Sequence, residues 1–271
     1  MTEAARRVAS ALGKPAGGGI PILIPVFNNP TYLARMVAQC ARRGLDDLVI
    51  FDNASAFPKM AALLDRLAQD YRVVRLEENF GPRLFADQEI LAALPEVFCL
   101  TDPDLDFNPR LPADFLAQLQ SLTERFKIFK AGFCLDIASA ADMRAKPIRY
   151  EGKDYSVAEW EGKFWRRHVG STDGGDPVFR ANIDTTFALY NKAHLEARNR
   201  DTPLRRLFGR RTAPKYGVLT ALRVGGAFTC RHLPWYDNGL VPHDEEEFYR
   251  RSQKWSSSRN AAPERTPATE R

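Results

Sequence analysis

The feature that most constrains the fold is a regular alternation of short apolar runs and amphipathic segments over residues 20–122. The apolar runs are rich in branched side chains and occur at 20–26, 48–51, 72–76 and 96–101. Between them, apolar residues recur at intervals of three and four, which is the spacing of an amphipathic helix. Continuous apolar strands that alternate with helices predict a mostly parallel sheet covered by helices on both faces.

The rest of the chain is less regular and predicts smaller, mixed or antiparallel structure. Further strands are expected at 127–135, 185–190 and 226–230, with a bulge at Gly132. We expect one domain over 20–255, with halves at 20–125 and 126–255. Residues 1–19 are predicted to be a flexible arm, and residues 256–271, rich in Ser, Arg, Glu, Pro and Ala, a disordered tail.

Composition is that of a globular protein, with 44% hydrophobic residues and a net charge of +5. The sequence contains no run of ~20 apolar residues and no signal peptide, and its four cysteines form no CxxC pair. A cytoplasmic protein with reduced core cysteines is therefore expected. The basic segment Arg205–Arg211 is either a solvated loop or a contact for phosphate, anionic lipid or nucleic acid. No nucleic-acid-binding motif occurs, so no nucleic-acid partner is expected.

An acidic turn follows the fourth apolar run and is the strongest chemical feature. Asp102 and Asp104 are one residue apart, so at a strand end they project to the same side. Two carboxylates repel each other unless a cation or hydrogen-bond donors intervene. Because ligands bind at the carboxyl ends of parallel strands, the turn predicts a Mg²⁺ or Mn²⁺ site. The alternative is an ordinary capped turn, and Asp106 is expected to be a cap.

Four motifs in order give a resemblance to a known family. The segments Pro25-Val-Phe-Asn28, Ile50-Phe-Asp-Asn-Ala-Ser55, Glu78-Asn-Phe-Gly81 and Leu100-Thr-Asp-Pro-Asp104 resemble those of GT-A fold glycosyltransferases, particularly the family 2 group. The resemblance covers roughly residues 20–110. It implies a Rossmann-like α/β domain with a nucleotide-binding half at 20–125 and an acceptor-binding half at 126–255. A nucleotide-sugar donor, with UDP- or dTDP-sugars favoured, follows from the same resemblance.

The resemblance assigns roles to individual residues. Asp52 resembles the carboxylate that accepts a hydrogen bond from the base imide, and a carboxylate suits that N–H donor. Asp104 resembles the direct metal ligand and His232 the late histidine that completes the shell, while Asp102 reaches either the ribose or the metal. The residues expected to bind the nucleotide are Pro25, Phe27, Asn28, Asp52, Asn53, Gly81, Arg83 and Asp102.

Asp184 is the candidate catalytic base, because inverting relatives have a carboxylate in this region that takes a proton from the acceptor hydroxyl. The family pattern is Glu-Asp, and Asp-Thr-Thr-Phe departs from it. Asp173, Asp176 and the absence of a base remain alternatives. Trp165, Trp235 and Tyr236 are candidates for the acceptor site or for the core.

The predicted function is transfer of a sugar from a nucleotide-diphosphate donor to a hydroxyl of a glycan or glycolipid, with Mn²⁺ or Mg²⁺ as cofactor and inversion at the anomeric carbon. Two alternatives remain open. One is a nucleotidyltransferase acting on sugar phosphates, which normally has a Gly-rich basic loop after the first strand. The other is a saccharide-binding relative without activity. The basic segment favours peripheral contact with the inner face of a membrane through Arg205–Arg211.

Overall fold

The computed structural model describes eight stretches of the chain, namely residues 2–13, 19–80, 88–144, 147–150, 152–183, 186–195, 220–236 and 239–252. Each predicted apolar run of the first half forms a strand: β1 (Ile22–Val26), β2 (Leu48–Asp52), β3 (Arg72–Arg75) and β4 (Val97–Leu100). All three pairings among them are parallel, in the order β3-β2-β1-β4. The α/β prediction is therefore confirmed.

The amphipathic segments form helices beside this parallel part. They are α2 (Pro30–Ala41), α3 (Pro58–Leu67), α4 (Gln88–Ala93) and α5 (Phe115–Phe126). Alternate strand residues face opposite sides, so Ile22 and Ile24 of β1 belong to one buried apolar cluster and Leu23 to the other. Burial on both faces explains why β1 and β2 contain no exposed residue.

The second half continues the same sheet with mixed pairing. Its elements are β5 (Leu105–Phe107), β6 (Lys130–Leu135), β7 (Ile148–Tyr150), β8 (Lys153–Tyr155), α6 (Val157–Gly162), β9 (His168–Ser171), β10 (Pro177–Asn182), β11 (Ala188–Asn191), β12 (Thr220–His232) and α7 (His243–Ser252). Within the described residues, the ten-stranded sheet runs β3-β2-β1-β4-β11-β6-β12-β10-β9, with β5 on β12. Strand β11 is antiparallel to both β4 and β6, so β4, β6 and β12 point the same way.

The predicted bulge at Gly132 is wrong. The irregularity lies in β12, between Val224 and Thr229, where the register against β6 shifts. Gly132 is required for another reason: a Cβ there would lie 2.3 Å from the carbonyl oxygen of Phe187. The glycine therefore permits close approach of β11, which a single sequence cannot distinguish from a bulge.

Part of the predicted flexible arm is a helix. Residues Glu3–Leu12 form α1, capped by Thr2, whose hydroxyl accepts a hydrogen bond from the N–H of Ala5. Ala5 and Val8 are buried with the second apolar cluster. The arm was predicted because the segment is short and weakly apolar, but two small buried residues suffice when a sheet lies beside them. The tail 256–271 lies outside the described residues.

All four cysteines are buried and unpaired with one another, as expected for core residues. Within the described ranges, none of the helices is long and apolar enough to cross a membrane.

Candidate functional site

The loops that follow β1, β2 and β4 lie at one edge of the sheet, because these strands are parallel neighbours. Asp52 ends β2 and pairs in register with Val26 at the end of β1. Asp102 and Asp104 follow β4 after Thr101, whose N–H donates to the carbonyl of Leu23. The edge therefore gathers the residues of three predicted motifs.

An acid cluster, formed by Asp102, Asp104 and His232, is the centre of this edge. One potential ligand atom from each residue lies within 4.8 Å of those of the other two. Within the cluster, His232 Nε2 lies 3.5 Å from Asp104 Oδ2. The structure thus brings together the three side chains that sequence reasoning grouped as metal ligands.

A short strand pairing explains how His232 reaches the acidic turn. The chain leaves Asp104 and forms β5, which pairs antiparallel with the end of β12, Leu105 opposite His232. The N–H of Leu233 donates to the carbonyl of Asp104 at 2.9 Å. Gln39 of α2 completes β5, since its amide accepts from Phe107 N–H at 2.7 Å and donates to the Leu105 carbonyl at 3.3 Å.

The cluster fits a divalent cation. Asp104 Oδ1 and His232 Nδ1 are buried and have no hydrogen-bond partner in the described part of the chain. Buried polar atoms are normally satisfied, so such a pair needs an explanation. Two carboxylates and one imidazole form a ligand set suited to Mn²⁺ or Mg²⁺ together with substrate oxygens. The alternative interpretation, an ordinary capped turn, does not explain why these two buried atoms have no hydrogen-bond partner in the described residues.

Asp106 is not a cap. It belongs to β5 opposite Arg231 and is about half exposed, 3.9 Å from Arg35 Nη2. Its carboxylate is separate from the cluster, which makes it a useful comparison for Asp104.

Asp52 and Asn53 order the loop after β2. Asp52 is buried and its Oδ1 accepts a hydrogen bond from Ser55 N–H at 3.1 Å. The side-chain oxygen of Asn53 accepts from Phe80 N–H at 3.3 Å, which connects this loop to the chain beyond β3. Ala54, which follows Asn53, has a φ of 57°, a left-handed conformation that is uncommon for residues with a side chain. Asp52 therefore serves as a turn cap at the position predicted to bind the base.

The prediction that Asn28 borders the nucleotide is corrected by its surroundings. Asn28 is 0% exposed, with a φ of 51°. Its side-chain oxygen accepts from Ala56 N–H at 2.8 Å and Phe57 N–H at 2.9 Å, and its Nδ2 donates to Ser252 Oγ at 3.0 Å. Both polar atoms of the side chain are hydrogen-bonded inside the protein, so Asn28 positions the loops after β1 and β2. Phe27 beside it remains partly exposed, while Pro25 is buried.

The acceptor candidates differ in their surroundings. Trp235 packs on His232 with ring centroids 4.7 Å apart, so it borders the acid cluster. Trp165 packs against Phe179 at 5.5 Å, away from the cluster's described contacts. Tyr236 is buried and its hydroxyl donates to the carbonyl of Asp136 at 3.4 Å. Trp235 is therefore the candidate that the geometry places beside the acid cluster.

Several predicted residues lie outside the described part of the chain: Gly81, Arg83, Asp184 and the basic segment Arg205–Arg211. The described chain just before Asp184 is held by buried cations. Arg223 Nε donates to the Asn182 carbonyl at 2.6 Å, and Lys130 Nζ donates to the Ile183 carbonyl at 2.9 Å. Of the alternative bases, Asp176 accepts from Ala227 N–H at 2.7 Å, a structural role in the β12 irregularity.

The sequence analysis did not identify two residues, Tyr32 and Glu245. Burial raises the pKa of Tyr32 to about 12, and the charge of Asp104 adds to the rise. Glu245 of α7 is buried and accepts from both the N–H and the hydroxyl of Thr31, at 3.1 and 2.6 Å. The sequence feature that could have indicated the packing of α7 is the apolar pair Phe248-Tyr249 within an otherwise charged segment.

The parallel strand order and the acid cluster at its carboxyl edge agree with the α/β architecture and the cation site that the sequence predicts. Residues 22–126 match the family model described as "Glycosyl transferase family 2". The match runs from β1 to α5 and includes Asp52, Asp102 and Asp104. The predicted family 2-like resemblance is therefore confirmed over this segment.

Comparisons with solved structures found partial similarities. A mannosyltransferase from Pyrobaculum calidifontis, in complex with GDP-Man and Mn²⁺, is 15% identical with a TM-score of 0.44, over 91% of this chain and 66% of its own. HddC from Yersinia pseudotuberculosis, complexed with GMP-PN, is 10% identical with a TM-score of 0.41, over 87% and 100%. Glucosyl-3-phosphoglycerate synthase from Mycobacterium tuberculosis, with Mn²⁺ and UDP-glucose, is 17% identical with a TM-score of 0.29, over 49% of each chain. No curated protein matched.

Proposed function

We propose that this protein transfers a sugar from a nucleotide-diphosphate donor to a hydroxyl group of a glycan or glycolipid. The observation that carries the proposal is the acid cluster at the carboxyl edge of the sheet, whose two aspartates lie within the segment that matches the family 2 model. UDP- and dTDP-sugars are the favoured donors, because a carboxylate at Asp52 suits the imide N–H of uracil and thymine.

The residues of the cluster would hold a divalent cation. Asp104 and His232 supply ligands, and Asp102 supplies either a further ligand or a hydrogen-bond acceptor for the ribose. When bound, Mn²⁺ or Mg²⁺ supplies Lewis-acid stabilisation of the negative charge on the leaving diphosphate. Phe27, with its partly exposed ring, borders the nucleoside, while Asn28 and Asn53 fix the two loops that enclose it.

On the acceptor side, Trp235 packs on His232 and so borders the acid cluster. We retain Asp184 as the proposed base that takes the proton of the attacking hydroxyl, which gives inversion by direct displacement. We also propose that the basic segment 205–211 makes peripheral contact with an anionic membrane, since seven residues with four arginines provide strong positive charge.

The experiment is a product analysis with nucleotide sugars and Mn²⁺, in the presence and absence of candidate glycan acceptors. The proposal expects release of the nucleoside diphosphate, lost in Asp104→Asn and retained in Asp106→Asn, which removes a carboxylate two residues away and outside the cluster. Release of pyrophosphate from a nucleoside triphosphate and a sugar phosphate would instead establish the nucleotidyltransferase alternative. Saccharide binding without turnover of any donor would establish the non-catalytic one.

A further inference from the structure

Helix α7 packs beside the loops after β1 and β2, where the donor nucleoside is expected to bind. Glu245 accepts two hydrogen bonds from Thr31 at the start of α2, and Phe248 packs on Phe57 with ring centroids 4.9 Å apart. Lys59 Nζ lies 2.6 Å from Asp244 Oδ2. The same helix thereby contacts the first turns of α2 and α3 and Phe57, which precedes α3.

The last turn of α7 reaches the residue that sets the shape of the β1 loop. Ser252 Oγ accepts from the Nδ2 of Asn28, whose oxygen already holds the β2 loop. The conformation of Asn28 is left-handed and therefore depends on these contacts. The ring of Phe27, the neighbouring residue, lies near Tyr249 of the same helix.

Tyr249 stands beside Phe27. The ring centroids are 6.5 Å apart and the ring planes differ by 56°, so the two rings form a corner. Both side chains are partly exposed, in contrast to Asn28 beneath them. Nucleobases present flat π-faces, and stacking on an aromatic ring is a favourable, sequence-tolerant way to bind them.

We propose that α7 forms one wall of the donor pocket and that Tyr249 contacts the nucleobase of the donor beside Phe27. This inference rests on the proposed function, because it assumes a nucleoside at the loops after β1 and β2. It adds to the family 2 segment a residue from far outside residues 22–126. Tyr249 would then contribute to donor affinity through the base and leave the diphosphate end unaffected.

The test compares the binding of nucleoside diphosphates and of inorganic pyrophosphate, each with Mn²⁺, by calorimetry. The probes are UDP, dTDP and GDP, and the proteins are wild type, Tyr249→Ala, Tyr249→Phe and Arg251→Ala. Arg251 is the matched control, because it is on the same helix, exposed, and paired only with Glu247 among its described contacts. The Tm of each variant shows that it remains folded.

For Tyr249→Ala we expect the Kd of the preferred nucleoside diphosphate to rise about tenfold, the usual scale for loss of one base-stacking contact. The Kd of pyrophosphate stays constant, Tyr249→Phe stays within about twofold of wild type because the ring remains, and Arg251→Ala is unchanged. An equal loss of nucleotide and pyrophosphate affinity would overturn the inference, because it would mean that α7 only supports the site. Unchanged nucleotide binding in Tyr249→Ala overturns the inference alone, whereas failure of wild type to bind any of the nucleotides overturns the proposed function.

Discussion

Replacement of Asp104 by Asn tests the acid cluster without any knowledge of the substrate. In wild type, ligand atoms of Asp102, Asp104 and His232 lie within 4.8 Å of one another. At that separation two carboxylate charges repel by on the order of 1 to 3 kcal/mol, depending on the local dielectric constant. Asp104→Asn removes this repulsion, so the metal-free variant should unfold at a temperature no lower than metal-free wild type.

The opposite order is expected once Mn²⁺ is added. A ligand at one hundred times its Kd stabilises the folded state by about 2.7 kcal/mol. For a chain of this size, 1 kcal/mol corresponds to roughly 2 to 4 °C in Tm, so wild type should gain about 5 to 10 °C. Asp104→Asn loses a charged ligand and should gain under about 2 °C at the same Mn²⁺ concentration.

The assay is thermal unfolding by differential scanning fluorimetry across an Mn²⁺ titration, after treatment with a chelator. Asp106→Asn is the control and should behave as wild type, because its carboxylate faces Arg35 and lies outside the cluster. Equal Mn²⁺-dependent gains in wild type and Asp104→Asn would refute the assignment of the cluster as a cation site. A loss of several degrees in the metal-free variant would refute the repulsion argument alone, because Asp104 also lies 3.5 Å from His232.

The remaining predictions concern the sheet and its buried thiols. Gly132→Ala should lower the free energy of unfolding by about 3 kcal/mol or more, because its Cβ would lie 2.3 Å from the Phe187 carbonyl oxygen. Chemical denaturation measures this change, with Gly174→Ala as the control, since a Cβ at Gly174 would lie 3.7 Å from its nearest neighbours. A decrease no larger than that of Gly174→Ala would contradict the prediction. Burial raises the pKa of the thiols, to about 12 for Cys40 and Cys134, so the folded state keeps protons that the unfolded state loses above about pH 9. Stability should therefore fall from about pH 9 upward more steeply in wild type than in Cys40→Ala, and parallel pH profiles would refute this.

The first half of the fold was predictable because its signals are local. A continuous apolar run such as that of β1 identifies a doubly covered strand, and Pro30 after Asn29 marks the start of α2. The parallel order then follows from general rules, so the positions of Asp52 and Asp104 at one edge followed as well. The family match over residues 22–126 covers this same region.

The remainder depends on contacts between distant parts of the chain. Asn28 reads as a ligand residue in sequence, and only Ser252 and the backbone of Phe57 show that it is internal. Helix α7 has a strongly acidic first turn, yet Glu245 in that turn is buried because Thr31 supplies its hydrogen-bond donors. Such pairings leave no periodic pattern, and no window of sequence contains both partners.

The antiparallel pairing of β5 with the end of β12, called the seam below, has a consequence for the order in which the protein folds during synthesis. Asp104 comes from the first half of the chain and His232 from near its end, and they meet only after three backbone pairings close the seam. A polypeptide still emerging from the ribosome, with the first four strands complete, would hold the acidic turn but lack the imidazole. The chain can therefore bind a cation with all three ligands only late in folding. Cation binding by the full set would indicate that the two halves have joined.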